Sequence, residues 1–229
     1  MKISLVLLTF NEIEGLTALF DKIPLDCADE AFAVDGGSTD GTLEFYKEKN
    51  FKVVNQISKG RGEAFRIAFE SANSDAIIFY SPDGNEDYND IPKFRDFLEK
   101  GYDMVIASRM MKGAFNEEDD KIIRFRKWAN NFFNFAANLA WGSIKKNKYI
   151  TDSINGFRAI TKKAFHTIKP DANGYCIEYQ MTILSMKQKL KTAEFPTHEG
   201  KRIGGESYAK SIPTGLKFIK QFMLELIRK

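Results

Sequence analysis

Two short segments carry the residue types from which ligand chemistry is built. The run Val34-Asp35-Gly36-Gly37-Ser38-Thr39-Asp40-Gly41-Thr42 sets carboxylates, glycines and hydroxyls between an apolar stretch and a helical one. Glycines let a backbone approach a ligand closely, and Asp35 at a strand end can accept hydrogen bonds from a base or a ribose. The same residues also read as a tight turn with Thr39 or Asp40 capping the next helix. Neither GxGxxG nor GxxxxGK[ST] is present, so a dinucleotide fold and a P-loop are unsupported. The second run, Ser81-Pro82-Asp83-Gly84-Asn85-Glu86-Asp87, gathers oxygen donors around a glycine. Oxygen donors at a strand end suit a hard divalent cation, Mg²⁺ or Mn²⁺, that neutralises a departing diphosphate. Pro-Asp-Gly is equally an ordinary surface turn.

Both runs need elements to hold them. Short apolar runs at 3–8, 31–34, 52–54, 76–80 and 104–107 read as strands, and stretches with helical apolar spacing at 12–22, 41–49, 60–72 and 91–100 separate them. This alternation predicts a mostly parallel sheet with helices on both faces, an α/β class in which ligands bind beyond the C-terminal strand ends. Beyond Arg109 the texture changes. An acidic patch at 117–120 precedes a long helix over 121–141, rich in Phe and Trp, with Arg124, Arg126 and Lys127 at its start and Lys145, Lys146 and Lys148 after it. A strand near 157–160, a helix near 177–188, a strand near 192–195, a Gly-rich loop at 200–205 and a last helix over 213–229 complete the chain.

Composition bounds the reading. The chain has 229 residues, 43% hydrophobic and 28% charged, which is globular and of single-domain size. Its 34 Lys and Arg against 31 Asp and Glu leave a net charge of +3, too balanced to indicate a nucleic-acid partner. Cys27 and Cys176 are far apart with no CxxC, so neither a zinc site nor a disulfide framework is indicated, and His166 and His198 read as ordinary surface or loop residues. No apolar run reaches the roughly 18 residues of a membrane span. The run 3–8 is too short for a secretory signal, which leads us to expect a cytosolic protein or one on the cytosolic membrane face.

In order along the chain stand Thr-Phe-Asn-Glu, Val-Asp-Gly-Gly-Ser-Thr-Asp-Gly-Thr, Gly-Arg-Gly-Glu-Ala, the Asp83 loop, Ser-Arg, Thr-Asp-Ser-Ile-Asn-Gly-Phe-Arg and Arg-Ile-Gly-Gly-Glu-Ser. Together they resemble the family 2 glycosyltransferases, and among them the dolichol-phosphate mannosyltransferase and polyprenyl-phosphate glycosyltransferase branch. The resemblance covers residues 3 to about 210. It implies a GT-A fold over 1–211, with a nucleotide-binding half (1–110) and an acceptor-side half (111–211), followed by an amphipathic helix (212–229).

The resemblance also implies roles. Leu8, Thr9, Phe10 and Glu12 match the first nucleotide-contacting loop, with Leu8 in place of the usual Pro. Val34 and Asp35 match the base and ribose contacts, with Gly36 where a second acid is usual. Lys59, Gly60 and Arg61 match a loop near the nucleotide. Ser81, Pro82 and Asp83 match the family's DxD segment. Asp83 is the usual cation holder, Asn85 stands at a metal-side position, and Ser81 replaces the first Asp. Arg109, Arg126 and Asn130 match contacts to an acceptor phosphate. Asp152, Gly156, Phe157 and Arg158 match a segment beside the reacting centre. Arg202 and Ser207 match a loop that closes over the diphosphate, with Tyr208 where Lys is usual and Lys210 as its substitute. Glu178 and Gln180 lie on a helix expected to face the sugar.

The implied reaction is inverting transfer of a sugar from a UDP- or GDP-sugar to a polyprenyl phosphate, assisted by Mg²⁺ or Mn²⁺. A lipid phosphate is already ionised and needs arginines rather than a base, so Arg109, Arg126 and Arg202 suit it. A saccharide hydroxyl acceptor would need a carboxylate base, for which Asp152 is the candidate; Asp152 reads equally as a structural carboxylate. A non-catalytic nucleotide-binding membrane subunit is the third reading, suggested by Gly36, Ser81 and Tyr208. In the last helix Ile212, Leu216, Ile219, Phe222, Met223, Leu226 and Ile227 form an apolar stripe opposite Lys217, Lys220, Gln221, Arg228 and Lys229. That stripe either packs on the domain or lies in a membrane interface.

Overall fold

The first strand, β1 (Ile3–Thr9), is buried at every position, so it must lie inside a sheet covered on both faces. A computed structural model describes residues 1–120, 123–145, 148–204 and 211–228, with Ser211 and Ile212 described by backbone alone. β1 pairs in parallel with β2 (Glu30–Asp35) and β4 (Ala76–Tyr80), and β2 pairs in parallel with the short β3 (Val53–Asn55). Between them run α1 (Ile13–Leu19), α2 (Thr42–Glu48) and α3 (Arg61–Ser71). α4 (Lys93–Glu99) leads into β5 (Met104–Ser108), as the alternation predicts.

The second half of the chain completes the same sheet. β6 (Arg158–Thr161) inserts antiparallel between β4 and β5, and β7 (Thr192–Pro196) adds in parallel outside β5. The order is β3-β2-β1-β4-β6-β5-β7. Residues 111–211 are thus not a separate lobe: β6 makes ladder bonds to strands of the first half on both of its edges. α6 (Lys162–Ile168) has no counterpart among the helices expected from sequence. It starts where the Thr161 side chain accepts from the Ala164 N–H at 3.2 Å and ends at Lys169 in the left-handed region, φ 43°.

Three helices pack together beside the sheet. α7 (Ile177–Lys187) is buried over most of its length, and α5 (Phe125–Ala140) and α8 (Ser211–Ile227) pack beside it through Phe133, Ala137, Tyr179, Ile183 and Phe218. α5 begins at Phe125; Lys121, Ile122 and Lys146 lie outside the described residues. The acidic patch meets that helix start, with Glu117 on Arg126 at 2.6 Å and Asp119 on Lys127.

α5 and α8 turn polar faces inward and apolar faces outward. On α5, Asn134 and Asn138 are buried, while Trp128 (59%), Phe132 (63%) and Leu139 (64%) are exposed. On α8, Gln221 and Glu225 are buried while Leu216 (64%), Ile219, Met223 and Ile227 are exposed. Gln221, read from the sequence as lying opposite the apolar stripe, faces the protein, and Phe222, read as part of that stripe, packs on Trp141 with ring centroids 5.1 Å apart. A helix position carries two faces, and the buried carboxylate Glu225 selects the inner one by meeting Lys187 at 3.1 Å and Gln180 at 2.9 Å.

Candidate active site

The loops after β1, β2, β4 and β5 converge at the C-terminal edge of the sheet. After β2, Asp35 is fully buried, and its carboxylate accepts from Thr9 Oγ1 (3.0 Å), Ser38 Oγ (2.6 Å), Ser38 N (2.8 Å) and Gly37 N (2.9 Å). Four donors of its own loops engage Asp35, so it organises the turn instead of presenting a vacant oxygen. Leu8 and Val34 are core residues and can meet a ligand only through their backbone. Phe10 packs against Gly36: a Cβ there would lie 3.2 Å from the ring. Lys59 is exposed. Gly60 and Gly62 are required by packing, since a Cβ on them would fall 2.3 Å from Asn173 O and 1.9 Å from Ala172 O.

Beyond β4 and β5 lies a cavity of about 240 Å³ lined by Arg61, Ser81, Asp83, Asn85, Glu86, Arg109, Arg126, Asn130, Asn155, Gly156, Phe157, Tyr175, Glu178 and Glu199, with Phe125, Phe133, Thr214 and Phe218 of α5 and α8 closing one side. It brings together residues from segments that the sequence singled out separately. Pro82 is buried beside it, its carbonyl packed against α1 at Gly15.

At one end stand Glu12 and Asp83, bridged by Arg202: Nη1 donates to Asp83 Oδ2 at 2.7 Å and Nη2 to Glu12 Oε1 at 2.5 Å. Burial pushes both carboxyls up, Glu12 to about 7, against the opposing pull of Arg202. The second Asp83 oxygen accepts from Asn85 N at 2.9 Å, and the Asn85 amide donates to Gly200 O at 2.8 Å. Arg202 therefore sits with Asp83 and Glu12, not with Arg109 and Arg126. Ser207, Tyr208 and Lys210 lie outside the described residues.

At the other end, Arg109 is fixed from two sides. Nε and Nη2 donate to the two oxygens of Asp152 at 2.8 and 3.1 Å, and Nη1 donates to Glu199 at 2.8 Å. A guanidinium has five N–H donors, so two of them stay available to a ligand. Asp152 is fully buried and also accepts from the Arg109 and Asn155 N–H groups. Against the desolvation of burial, Arg109 holds the Asp152 carboxyl below its ordinary value. A base needs a free oxygen and a pKa near the working pH; Asp152 has neither, and its place is that of a positioning residue for Arg109. Asn134 and Asn138, one turn apart on α5, hold the Asp152 loop through Thr151 O (2.6 Å), Ser153 N (2.8 Å) and Ile150 O (2.8 Å).

The floor is made by α3 and α7. Arg61 donates through Nε to Glu178. Gln180 does not face the cavity. Two residues on along a helix turns a side chain to the far side, and Gln180 is buried between Asp171 and Glu225. Arg158 is also not a lining residue: fully buried, it donates to Glu178 O at 2.9 Å and Asn155 O at 2.7 Å, and burial pulls it down to about 10. Sequence reasoning passed over Glu86, which sits within the second polar run, bonds Ser81 N at 2.7 Å and is pushed up to about 8 chiefly by burial. Glu199 had no motif to mark it.

The donor chemistry here suits a hard divalent cation: Asp83 offers carboxylate oxygen, Asn85 lines the same wall, and a positive group, the Arg202 guanidinium, already rests between Asp83 and Glu12. No cluster of three His, Cys, Asp or Glu able to hold a metal occurs among the described residues, so a cation held at Asp83 would need further oxygens from a ligand such as a diphosphate.

Residues 4–168 match the model of glycosyl transferase family 2, and the chain belongs to that family. It is 32% identical over 197 residues to glycosyltransferase AglJ of Haloferax volcanii (82% of this chain, 60% of the relative) and 28% identical over 218 residues to dolichol-phosphate mannosyltransferase of Pyrococcus furiosus (92% and 60%). The chain thus spans about 60% of the length of these two relatives. A dolichyl-phosphate hexose transferase of Haloferax volcanii is 25% identical over 232 residues, covering 99% of this chain and 96% of that protein. Among solved structures, glucosyl-3-phosphoglycerate synthase of Mycobacterium tuberculosis in complex with Mn²⁺ and UDP-glucose superposes with a TM-score of 0.76 at 19% identity, over 98% of this chain and 78% of that one. That likeness establishes the GT-A fold.

Proposed function

We propose that this glycosyltransferase inverts the anomeric centre while moving a sugar from a UDP- or GDP-sugar to a polyprenyl phosphate at the cytosolic face of a membrane. One observation carries this reading. The cavity runs from Asp83 to Arg109 and is walled by α5 and α8, the two helices that present apolar faces to the outside. A phosphate on an apolar chain fits that combination, with its charge at Arg109, Arg126 and Asn130 and its chain along Phe125, Trp128 and Leu216.

In this reading Thr9, Phe10, Glu12 and the Lys59–Gly60 loop form the nucleotide wall, and Asp35 holds the turn behind it. Asp83 and Asn85 would hold Mg²⁺ or Mn²⁺, which would supply charge to stabilise a departing diphosphate. Arg202 exchanges its carboxylate partners for diphosphate oxygens, a charge-assisted contact of the same geometry. Arg109, oriented by Asp152 and Glu199, turns its remaining donors to the acceptor phosphate and offsets its repulsion from the donor diphosphate. The ionised acceptor oxygen attacks without a base, in keeping with Asp152 having no vacant oxygen. The same engagement of Asp152 weighs against a saccharide hydroxyl acceptor.

Incubating the protein with UDP- and GDP-sugars, Mn²⁺ and a short polyprenyl phosphate, then analysing the lipid fraction by mass spectrometry, tests the reading. A glycosyl phospholipid of inverted anomeric configuration is the expected product; a glycosylated saccharide formed in its place refutes it.

A further inference from the structure

The Arg61–Glu178 pair on the cavity floor has a feature that pairing alone does not require. Arg61 uses only Nε on Glu178; among the described residues neither Nη has a hydrogen-bond partner, although the side chain is only 21% exposed. Gly156 makes room for this arrangement, since a Cβ there would lie 2.2 Å from Arg61 Nη2 and 3.2 Å from Glu178 Oε1. The Arg61 Cζ also lies over the Phe65 ring, 5.9 Å from its centroid, which fixes the guanidinium plane. Below, Arg158 bonds the Glu178 carbonyl and holds α7 against the Asn155 loop. The result is a rigid fork of donors beside a buried carboxylate, both facing a small cavity.

Four carboxylates (Asp83, Glu86, Glu178, Glu199) and three guanidiniums (Arg61, Arg109, Arg126) line that cavity. Each guanidinium already has an acidic partner, Glu178 for Arg61, Asp152 and Glu199 for Arg109, and Glu117 for Arg126. Beside Arg61, a carboxylate-bearing sugar would meet Glu178, which already takes up the charge of that guanidinium, at close range. A neutral hexose meets the reverse: its hydroxyls can accept from the Arg61 Nη groups and donate to Glu178 and Glu86 at once.

We propose that Arg61, locked by Glu178 and admitted by Gly156, is the specificity-determining residue for the transferred sugar, and that it selects a neutral hexose over a uronic acid. This rests on the nucleotide-sugar reading above. Buried donors built to bond hydroxyls reject analogues that leave them unpaired.

The test is calorimetric titration of the intact protein with Mn²⁺ and UDP or GDP, each alone and as its glucose, mannose and glucuronic acid derivative. In the wild type a neutral hexose tightens binding over the bare nucleoside diphosphate, and glucuronic acid does not. Arg61→Lys keeps charge and the Glu178 pair but loses the fork. It should remove about ten- to a hundredfold of the hexose increment, taken against the bare nucleoside diphosphate in the same variant, the worth of a hydrogen bond to a charged group. Glu178→Gln frees the guanidinium and should raise affinity for the glucuronic acid derivative relative to the hexose. Equal loss of bare nucleotide binding in Arg61→Lys, an unchanged hexose increment, or wild-type preference for the uronic acid would each overturn the proposal. Failure of the wild type to bind any nucleoside diphosphate would instead remove the nucleotide-sugar reading, and this proposal with it.

Discussion

At the scale of single residues, the proposed acceptor-phosphate site depends on how Arg109 is held. Arg109 and Asp152 are 43 positions apart, and the sequence marks each as a separate player, one for the acceptor phosphate and one as a base. Their two-point contact at 2.8 and 3.1 Å makes them one device, and no spacing rule reveals such a pairing. Asp152→Asn should therefore lower turnover and raise the KM for the acceptor while leaving the shape of the pH–rate profile unchanged. Loss of the acid limb of that profile would show that Asp152 is a base after all. Arg109→Ala should also destabilise the protein, by about 3–5 kcal/mol, because it leaves Asp152 buried without its partner; chemical denaturation reads that loss. Asp83→Ala should abolish transfer and weaken Mn²⁺ binding measured by electron paramagnetic resonance in the presence of nucleotide. Undiminished Mn²⁺ binding would remove Asp83 from the cation site. Asp83 was legible because it ends a strand-to-loop motif. Glu199 was not, because it lies on a loop with no pattern of its own, where it meets Arg109, Asn116 and the Glu117 N–H.

At the scale of elements, the proposed acceptor route runs between α5 and α8, which close one side of the cavity. Their amphipathic pattern is plain in the sequence, but periodicity identifies two faces without saying which one the protein covers. Asn134 and Asn138 settle the orientation of α5 through hydrogen bonds to the Asp152 loop, and Glu225, which accepts from Gln180 of α7 and from Gln221 of its own helix, settles that of α8. A polar network of this kind is worth burying only when fully satisfied, and here it leaves Trp128, Phe132, Leu139, Leu216 and Ile219 outside. Phe132→Glu combined with Leu216→Glu should reduce binding to anionic phospholipid vesicles at least tenfold while changing stability by no more than about 0.5 kcal/mol per site. Unaltered sedimentation with vesicles would mean that these faces do not carry the attachment. Asn138→Ala should behave oppositely, costing about 1–3 kcal/mol of stability through the orphaned Ile150 N–H and carbonyl. Equal stability of Asn138→Ala in denaturant would contradict that role.

At the scale of the whole molecule, one sheet unites both halves of the chain. The strand–helix alternation up to β5 was readable because each apolar run is short and each helix is periodic. The insertion of antiparallel β6 between β4 and β5 was not, since strand order is set by long-range pairing that leaves no local mark. Closing the sheet around a polar cavity buries several carboxylates. Glu12 and Glu194 rise to about 7 and Glu86 to about 8 from an ordinary 4.5, chiefly through burial. A carboxyl with a raised folded-state pKa binds protons more tightly folded than unfolded, so stability declines as pH climbs from about 4.5 through about 8. Asp152, Asp119 and Asp171 are held below 3.8, and their contribution is lost only under more acidic conditions. The Tm should accordingly be highest between about pH 4.5 and 6 and be several degrees lower at about pH 8.5. A Tm that rises steadily across that range would contradict the burial of these groups.

The most direct test of the central claim is release of nucleoside diphosphate from UDP- and GDP-sugars with Mn²⁺, measured with and without a short polyprenyl phosphate in detergent. The account predicts release from at least one neutral hexose donor that depends on the lipid phosphate and is lost in Asp83→Ala. Release that proceeds at the same rate without the lipid phosphate would contradict it.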